Sequence, residues 1–174
     1  MSNKFNLVIF DADVIIYLAR INKLKSLFKN CKVYLTEIVY SEIKFYNDIE
    51  TGEKKYICLE SYIESKSLII IKSMKLTKFY KSDILKKLIE IEKNGVEVDN
   101  GELEAIVFIF NNRKYKLCTG DSGALKFLAY LYLQENAISL ETIIGKVKGI
   151  SKEYTNEFMK NNLNEGNKLM IQDF

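Results

Sequence analysis

Four carboxylates stand where this 174-residue chain could put them to chemical use: Asp11, Glu42, Glu104 and Asp121. The sequence contains no histidine. That excludes Ser-His-Asp and Cys-His nucleophile pairs, His-ligated zinc and imidazole acid–base chemistry. Chemistry must therefore run on carboxylates, hydroxyls, lysines or the three cysteines. Cys31, Cys58 and Cys118 are odd in number, far apart and in no CxxC spacing, so they read as small buried apolar residues in a reducing compartment.

The acids need elements to hold them. Phe5–Phe10 reads as a buried strand, followed by helices over 13–20 and 22–29. Lys32–Leu35 is a second strand, and Thr36 is the expected N-cap of a helix reaching about Asp48. A helix over 55–65, a strand over 67–71 and an amphipathic helix over 77–93 follow. Asp99 to Gly101 opens a further helix to about Asn112. Tyr115–Thr119 reads as a strand, 121–134 as a helix, Ala137-Ile138 as a short strand, and 140–164 as two helices split at Gly149. Strands alternating with helices imply a parallel sheet covered on both faces.

Ligands of open α/β sheets bind beyond the carboxyl ends of the strands. Asp11 and Asp121 each follow a strand directly and should share that rim. Each also fits as the N-cap of the next helix. Glu42 falls on the apolar face of its helix with Ile38, Val39, Phe45 and Tyr46, where an unpaired carboxylate needs a salt-bridge partner or a metal. Glu104 sits in the first turn of the nearly all-apolar run Leu103–Phe110, which marks a buried helix. Glu102 has capping-box spacing from Asp99 and reads as structural, which leaves Glu104 as the functional acid. Asp13 reads as a cap close enough to assist Asp11. Ser122 offers a hydroxyl next to Asp121, and Lys126 is a candidate substrate contact. Lys75, Lys78, Lys81, Lys86 and Lys87 read as a solvated helix face rather than a phosphate track.

In order along the chain, these acids lie in segments that resemble the PIN-domain nucleases. "LVIFDADVIIYL" looks like their opening strand, with Asp11 as the first acid. "VYLTEIVYSEI" is similar to their second strand and helix, with Glu42 as the second. "DNGELEAIVFIF" resembles the helix bearing the third acid, matched here to Glu104, and "YKLCTGDSGALKFLA" the last motif, with Asp121. The resemblance covers roughly residues 5 to 140. It departs from the family in having Glu at 104 and no further acid soon after Asp121.

The resemblance implies a three-layer α/β/α sandwich with a central, mostly parallel sheet, and metal-dependent cleavage of RNA. Its domain would span residues 1–140, with residues 141–174 as a helical extension packed on it. Carboxylates suit hard cations such as Mg²⁺ or Mn²⁺, which activate water and neutralise phosphate charge without an imidazole base. The expected metal ligands are Asp11, Glu42, Glu104 and Asp121, supported by Asp13 and Ser122. Many small members are toxins held by a short antitoxin protein, and many dimerise, so an antitoxin and a second copy join RNA as expected partners.

Two other readings compete. "VIFDADVI" also resembles the first motif of haloacid-dehalogenase-type phosphatases, with Asp11 as nucleophile and Asp13 as acid–base. Val14 and Leu125 stand where that family has Gly and an acid. A non-catalytic PIN-like RNA- or protein-binding module is the third reading. The net charge of +3 does not by itself identify a nucleic-acid binder. No stretch reaches the roughly 20 apolar residues of a membrane span, and a cytoplasmic location is expected.

Overall fold

The computed structural model describes residues 5–48, 51–72, 83–145 and 150–172. Its centre is a four-stranded sheet of β1 (Phe5–Phe10), β2 (Cys31–Thr36), β5 (Leu68–Ile71) and β6 (Lys116–Cys118) in the order β5-β2-β1-β6. Every pairing within it is parallel. The expected strand at Ala137-Ile138 contracts to a single parallel bridge from Ala137 to Leu117.

Alternation along the strands decides what covers each face. Ile9, Tyr34 and Leu117 point into one core with α5 (Asp83–Lys93), α6 (Asn100–Asn111), α7 (Ser122–Tyr130) and α9 (Asn156–Gln172). Val8, Phe10, Val33, Leu35 and Cys118 point into the other, with α1 (Ala12–Arg20), α2 (Leu24–Asn30), α3 (Glu37–Glu42) and α8 (Leu140–Ile144). Period-two strands under helices on both sides make the three layers of a PIN-like α/β/α fold. Among the described residues no helix is long and apolar enough to cross a membrane.

The chain runs from β1 outward through β2 to β5, then returns to place β6 on the other side of β1. The connections after β1 and β6 therefore leave the sheet in different directions, and a crevice opens between the carboxyl ends of these two strands. A backbone bond from Asp11 N–H to the Cys118 carbonyl, 3.1 Å, fixes the two strand ends side by side.

Two expected helices are shorter than their periodicity suggested. Thr36 does cap α3, accepting from Val39 N–H at 3.3 Å, but α3 stops at Glu42 rather than Asp48. The aromatic run Phe45–Asn47 forms strand β3 instead, antiparallel to β4 (Lys54–Tyr56). Phe45 and Tyr56 meet edge to face across the pair at 5.7 Å. Aromatic side chains favour strands, and Gly52 at φ +69° serves the turn that closes this hairpin. The helix expected over 55–65 is consequently reduced to α4 (Glu60–Glu64). Cys58 is exposed, donating to Glu60 at 3.0 Å, and is not the core residue expected, whereas Cys31 and Cys118 are buried. The split at Gly149, the start of the helix at Thr77, and Lys75, Lys78 and Lys81 lie outside the described residues.

Beyond residue 140 the chain folds back on the same core. α9 lies along α7 so closely that a Cβ at Gly166 would fall 2.3 Å from the Lys126 carbonyl oxygen, which makes a side chain at that position incompatible with the packing.

Candidate active site

The crevice at the strand ends is a cleft of about 480 Å³. Carboxylates of Asp11, Asp13, Glu42, Asp99, Glu102, Asp121 and Glu153 line it, with Arg20 as the cation among its lining residues. None of these acids makes an ion pair among the described residues. Asp11, Glu42 and Asp121 therefore line one cleft, the two aspartates as their strand ends dictate, while Glu104 does not line it.

Asp11 and Asp121 combine both of their expected roles. Asp11 caps α1, accepting from Ala12 N–H at 2.6 Å, and Asp121 caps α7, accepting from Ala124 N–H at 2.7 Å. Both caps use Oδ1, so each Oδ2 is outside the cap. Asp13 is not a cap. It lies in the first turn of α1, exposed, on the cleft wall.

Glu102 and Glu104 lie in the reverse of the positions expected of them. Two residues on a helix are about 200° apart, so only one can face the strand ends. Glu102 is the one that does. Its Oε2 accepts from Asp99 N–H at 3.3 Å, completing the capping box, while its Oε1 reaches Thr119. Glu104, 1% exposed, points towards α3, where its Oε2 lies 3.5 Å from Ile38 N–H. It ties α6 to the start of α3. The capping bond uses one Glu102 oxygen and leaves the second for Thr119.

Thr119 joins the acids. Its Oγ1 lies 3.1 Å from Asp11 Oδ2, 3.1 Å from Glu102 Oε1 and 3.0 Å from Asp121 N–H. A hydroxyl has one proton and two lone pairs. With the lone pairs accepting from Asp121 N–H and a protonated Glu102, and the proton donated to Asp11, all three contacts are satisfied. Burial, followed by the Asp11 and Asp121 charges, pushes Glu102 up to about 9. Burial, with Asp13 and Asp121, raises Asp11 to about 6 against the lowering bond from Ala12. Glu102 has the higher proton affinity of the two, so it is the carboxyl that donates to the hydroxyl while Asp11 accepts.

Glu42 differs from its expected setting. Because α3 ends at Glu42, its carboxylate lies exposed at the cleft rim rather than in the core. Burial of its remaining surface, then Asp99 and Asp13, raises its pKa. Gly101 lets α6 approach it: a Cβ there would meet Val39 Cγ2 at 2.9 Å and Glu42 Oε2 at 3.6 Å. Ser122 and Lys126 line a neighbouring depression with Glu97 and with Asp121, which borders both it and the cleft. Lys126 is committed elsewhere, in an ion pair with Glu165 of α9 at 2.8 Å.

Asp99, Glu102, Thr119 and the stretch Ser151–Tyr154 were not anticipated as site residues. For Thr119 the signal was available: a hydroxyl two residues before Asp121, at the end of a buried strand. For Ser151–Tyr154 no local signal exists, because only the return of the chain past Gly120 brings it to the cleft.

The donors in the cleft are oxygens, which suits a hard divalent cation. The charges of Asp11 and Asp121 raise the proton affinity of Glu102, and that of Asp121 also raises Asp11; a cation would relieve that repulsion. As the side chains stand, no three described acids are close enough together to hold one ion. The residues fit such a cation by chemistry and by position, with side-chain movement needed to close around it.

No curated protein matches the chain significantly. A family described as a PIN domain matches residues 7–135. PIN domains are generally nucleases that use divalent metals. The match runs from β1 past β6 and α7, taking in both strand ends that form the crevice and the helix that carries Glu102. With the parallel sheet order and the acid-lined switch point, it establishes that this chain belongs to the PIN-domain family.

Proposed function

We propose that this protein is a divalent-metal-dependent endoribonuclease that hydrolyses phosphodiester bonds in RNA. The observation that carries this reading is the meeting of Asp11, Glu102 and Asp121 around Thr119 at the topological switch point, with no cation paired to any of them among the described residues. Asp11 is the central metal ligand in this reading, Asp121 and Glu102 flank it, and Glu42 closes the rim. Asp13 and Asp99 add negative charge around the ligands.

Bound Mg²⁺ or Mn²⁺ would polarise the scissile phosphate and supply a nucleophilic water at neutral pH. The chain's own residues do the rest. The caps on Ala12 and Ala124 orient the two aspartates. Thr119 bridges Asp11 and Glu102, both of which line the cleft. Glu102 would hold such a cation as an ionised carboxylate. Arg20, exposed on the cleft wall, is placed to meet substrate phosphate.

The test is cleavage of a single-stranded RNA oligonucleotide in Mn²⁺ or Mg²⁺. Cleavage should be abolished by chelator and by Asp11→Asn. RNA binding that survives the chelator, with no cleavage in either metal, would instead support a binding module.

A further inference from the structure

Residues 150–172 lie outside the segment matched by the family, yet Ser151, Glu153 and Tyr154 line the cleft. Three contacts hold them there. Ser151 N–H donates to the Tyr17 hydroxyl of α1 at 2.9 Å. The Tyr17 and Tyr154 rings pack together with centroids 4.7 Å apart. A Cβ at Gly120 would fall 2.7 Å from Tyr154 Cε1, so the Tyr154 ring lies directly on the loop that carries Thr119 and Asp121. The tyrosine pair thus spans the crevice from α1 to the β6–α7 loop, over the ends of the strands that present Asp11 and Asp121.

A phosphodiester entering this cleft meets seven carboxylates and one arginine among the lining residues. It needs hydrogen-bond donors that bring no negative charge. The backbone N–H groups of Ala12 and Ala124 are taken by the two aspartate caps. The Ser151 hydroxyl is taken by Glu153. The Tyr154 hydroxyl engages in no hydrogen bond among the described residues. Burial and the neighbouring charges of Asp13 and Asp11 raise its pKa, which keeps its proton in place as a donor.

We propose that the 150–154 segment is a substrate-holding wall of the cleft, with the Tyr154 hydroxyl donating to a phosphate oxygen of the bound polynucleotide. This rests on the nuclease reading for its substrate and adds a contact from beyond the family's matched segment. The role asks nothing of bond making: the phenol neither loses its proton nor forms a covalent bond.

Tyr154→Phe in the full chain removes the hydroxyl and keeps the ring on Gly120 and Tyr17. The measurements are Kd for a single-stranded RNA oligonucleotide in Ca²⁺, kcat and KM for its cleavage in Mn²⁺, and Tm. The expected result is a Kd raised about tenfold, a matching loss in kcat/KM, and an unchanged Tm. Tyr154→Leu, which also removes the ring, should lower Tm as well. A Tyr154→Phe chain that binds and cleaves like wild type overturns this inference and leaves the nuclease reading intact. A wild-type chain that binds RNA without cleaving it overturns the nuclease reading, while the two Kd values still decide the role of Tyr154. A wild-type chain that does not bind RNA overturns both.

Discussion

Asp11 Oδ2 and Glu102 Oε1 each lie 3.1 Å from the same hydroxyl oxygen, that of Thr119. Two carboxyl groups meet one small hydroxyl that also accepts from Asp121 N–H. Thr119→Val keeps the shape and removes all three contacts. We predict a loss of about 1–3 kcal/mol in stability, read from urea unfolding of the metal-free protein. A neutral effect would mean that the hydroxyl does not organise the acids.

The same arrangement sets a pH dependence. Asp11 is raised to about 6 and Glu102 to about 9 in the folded chain, above the roughly 4 of an unfolded carboxyl. The folded state therefore binds more protons than the unfolded state. The stabilising contribution is complete below about pH 4 and is lost as pH rises through 6 and then 9. Glu102→Gln is neutral at every pH and should be close to wild type in metal-free Tm near pH 5. By pH 9 it should be more stable, by about 1–3 kcal/mol given the several-unit shift and its partial screening. A difference between the two proteins that does not change with pH would contradict a raised Glu102.

Much of this site was readable in the residues. Asp11 and Asp121 follow strands directly, and strand ends are where open sheets bind ligands. The alternation of strands with helices implied the parallel sheet and its two covered faces. Glu42 lines the cleft for a different reason from the one its periodicity gave: the long helix is broken by the β3–β4 hairpin, and Glu42 ends α3 at the rim. Glu102 was hidden by its own capping role, since spacing identifies one bond and does not count the oxygens left over. The wall from Ser151 to Tyr154 depends on long-range return of the chain, to which no local pattern points.

Glu102 and Glu104 can be separated by experiment. In the structure Glu104 faces α3 and Glu102 faces the cleft. Glu104→Gln should keep Mn²⁺-dependent RNA cleavage within about threefold and retain the Tm rise that saturating metal produces by mass action. Glu102→Gln should reduce cleavage by about a hundredfold or more, in line with loss of a group acting on the reacting centre. The reverse ranking would return the third acid to position 104.

Lys126 is paired with Glu165, which is largely exposed. Exposed pairs of this kind contribute about 0–1 kcal/mol. Lys126→Ala should therefore shift stability by less than about 1 kcal/mol and leave RNA affinity unchanged. A clear loss of affinity, measured by fluorescence anisotropy with a labelled oligonucleotide, would bring Lys126 back as a substrate contact.

The position taken by a divalent ion is the most direct test of the proposed metal site. A crystal soaked in Mn²⁺ and measured at the manganese absorption edge would give an anomalous difference map of the cleft. We predict a peak bounded by the carboxylates of Asp11, Glu102 and Asp121, absent from a soaked Asp11→Asn crystal. A cleft without manganese at saturating concentration, or a peak held by Glu104 in place of Glu102, would contradict the account.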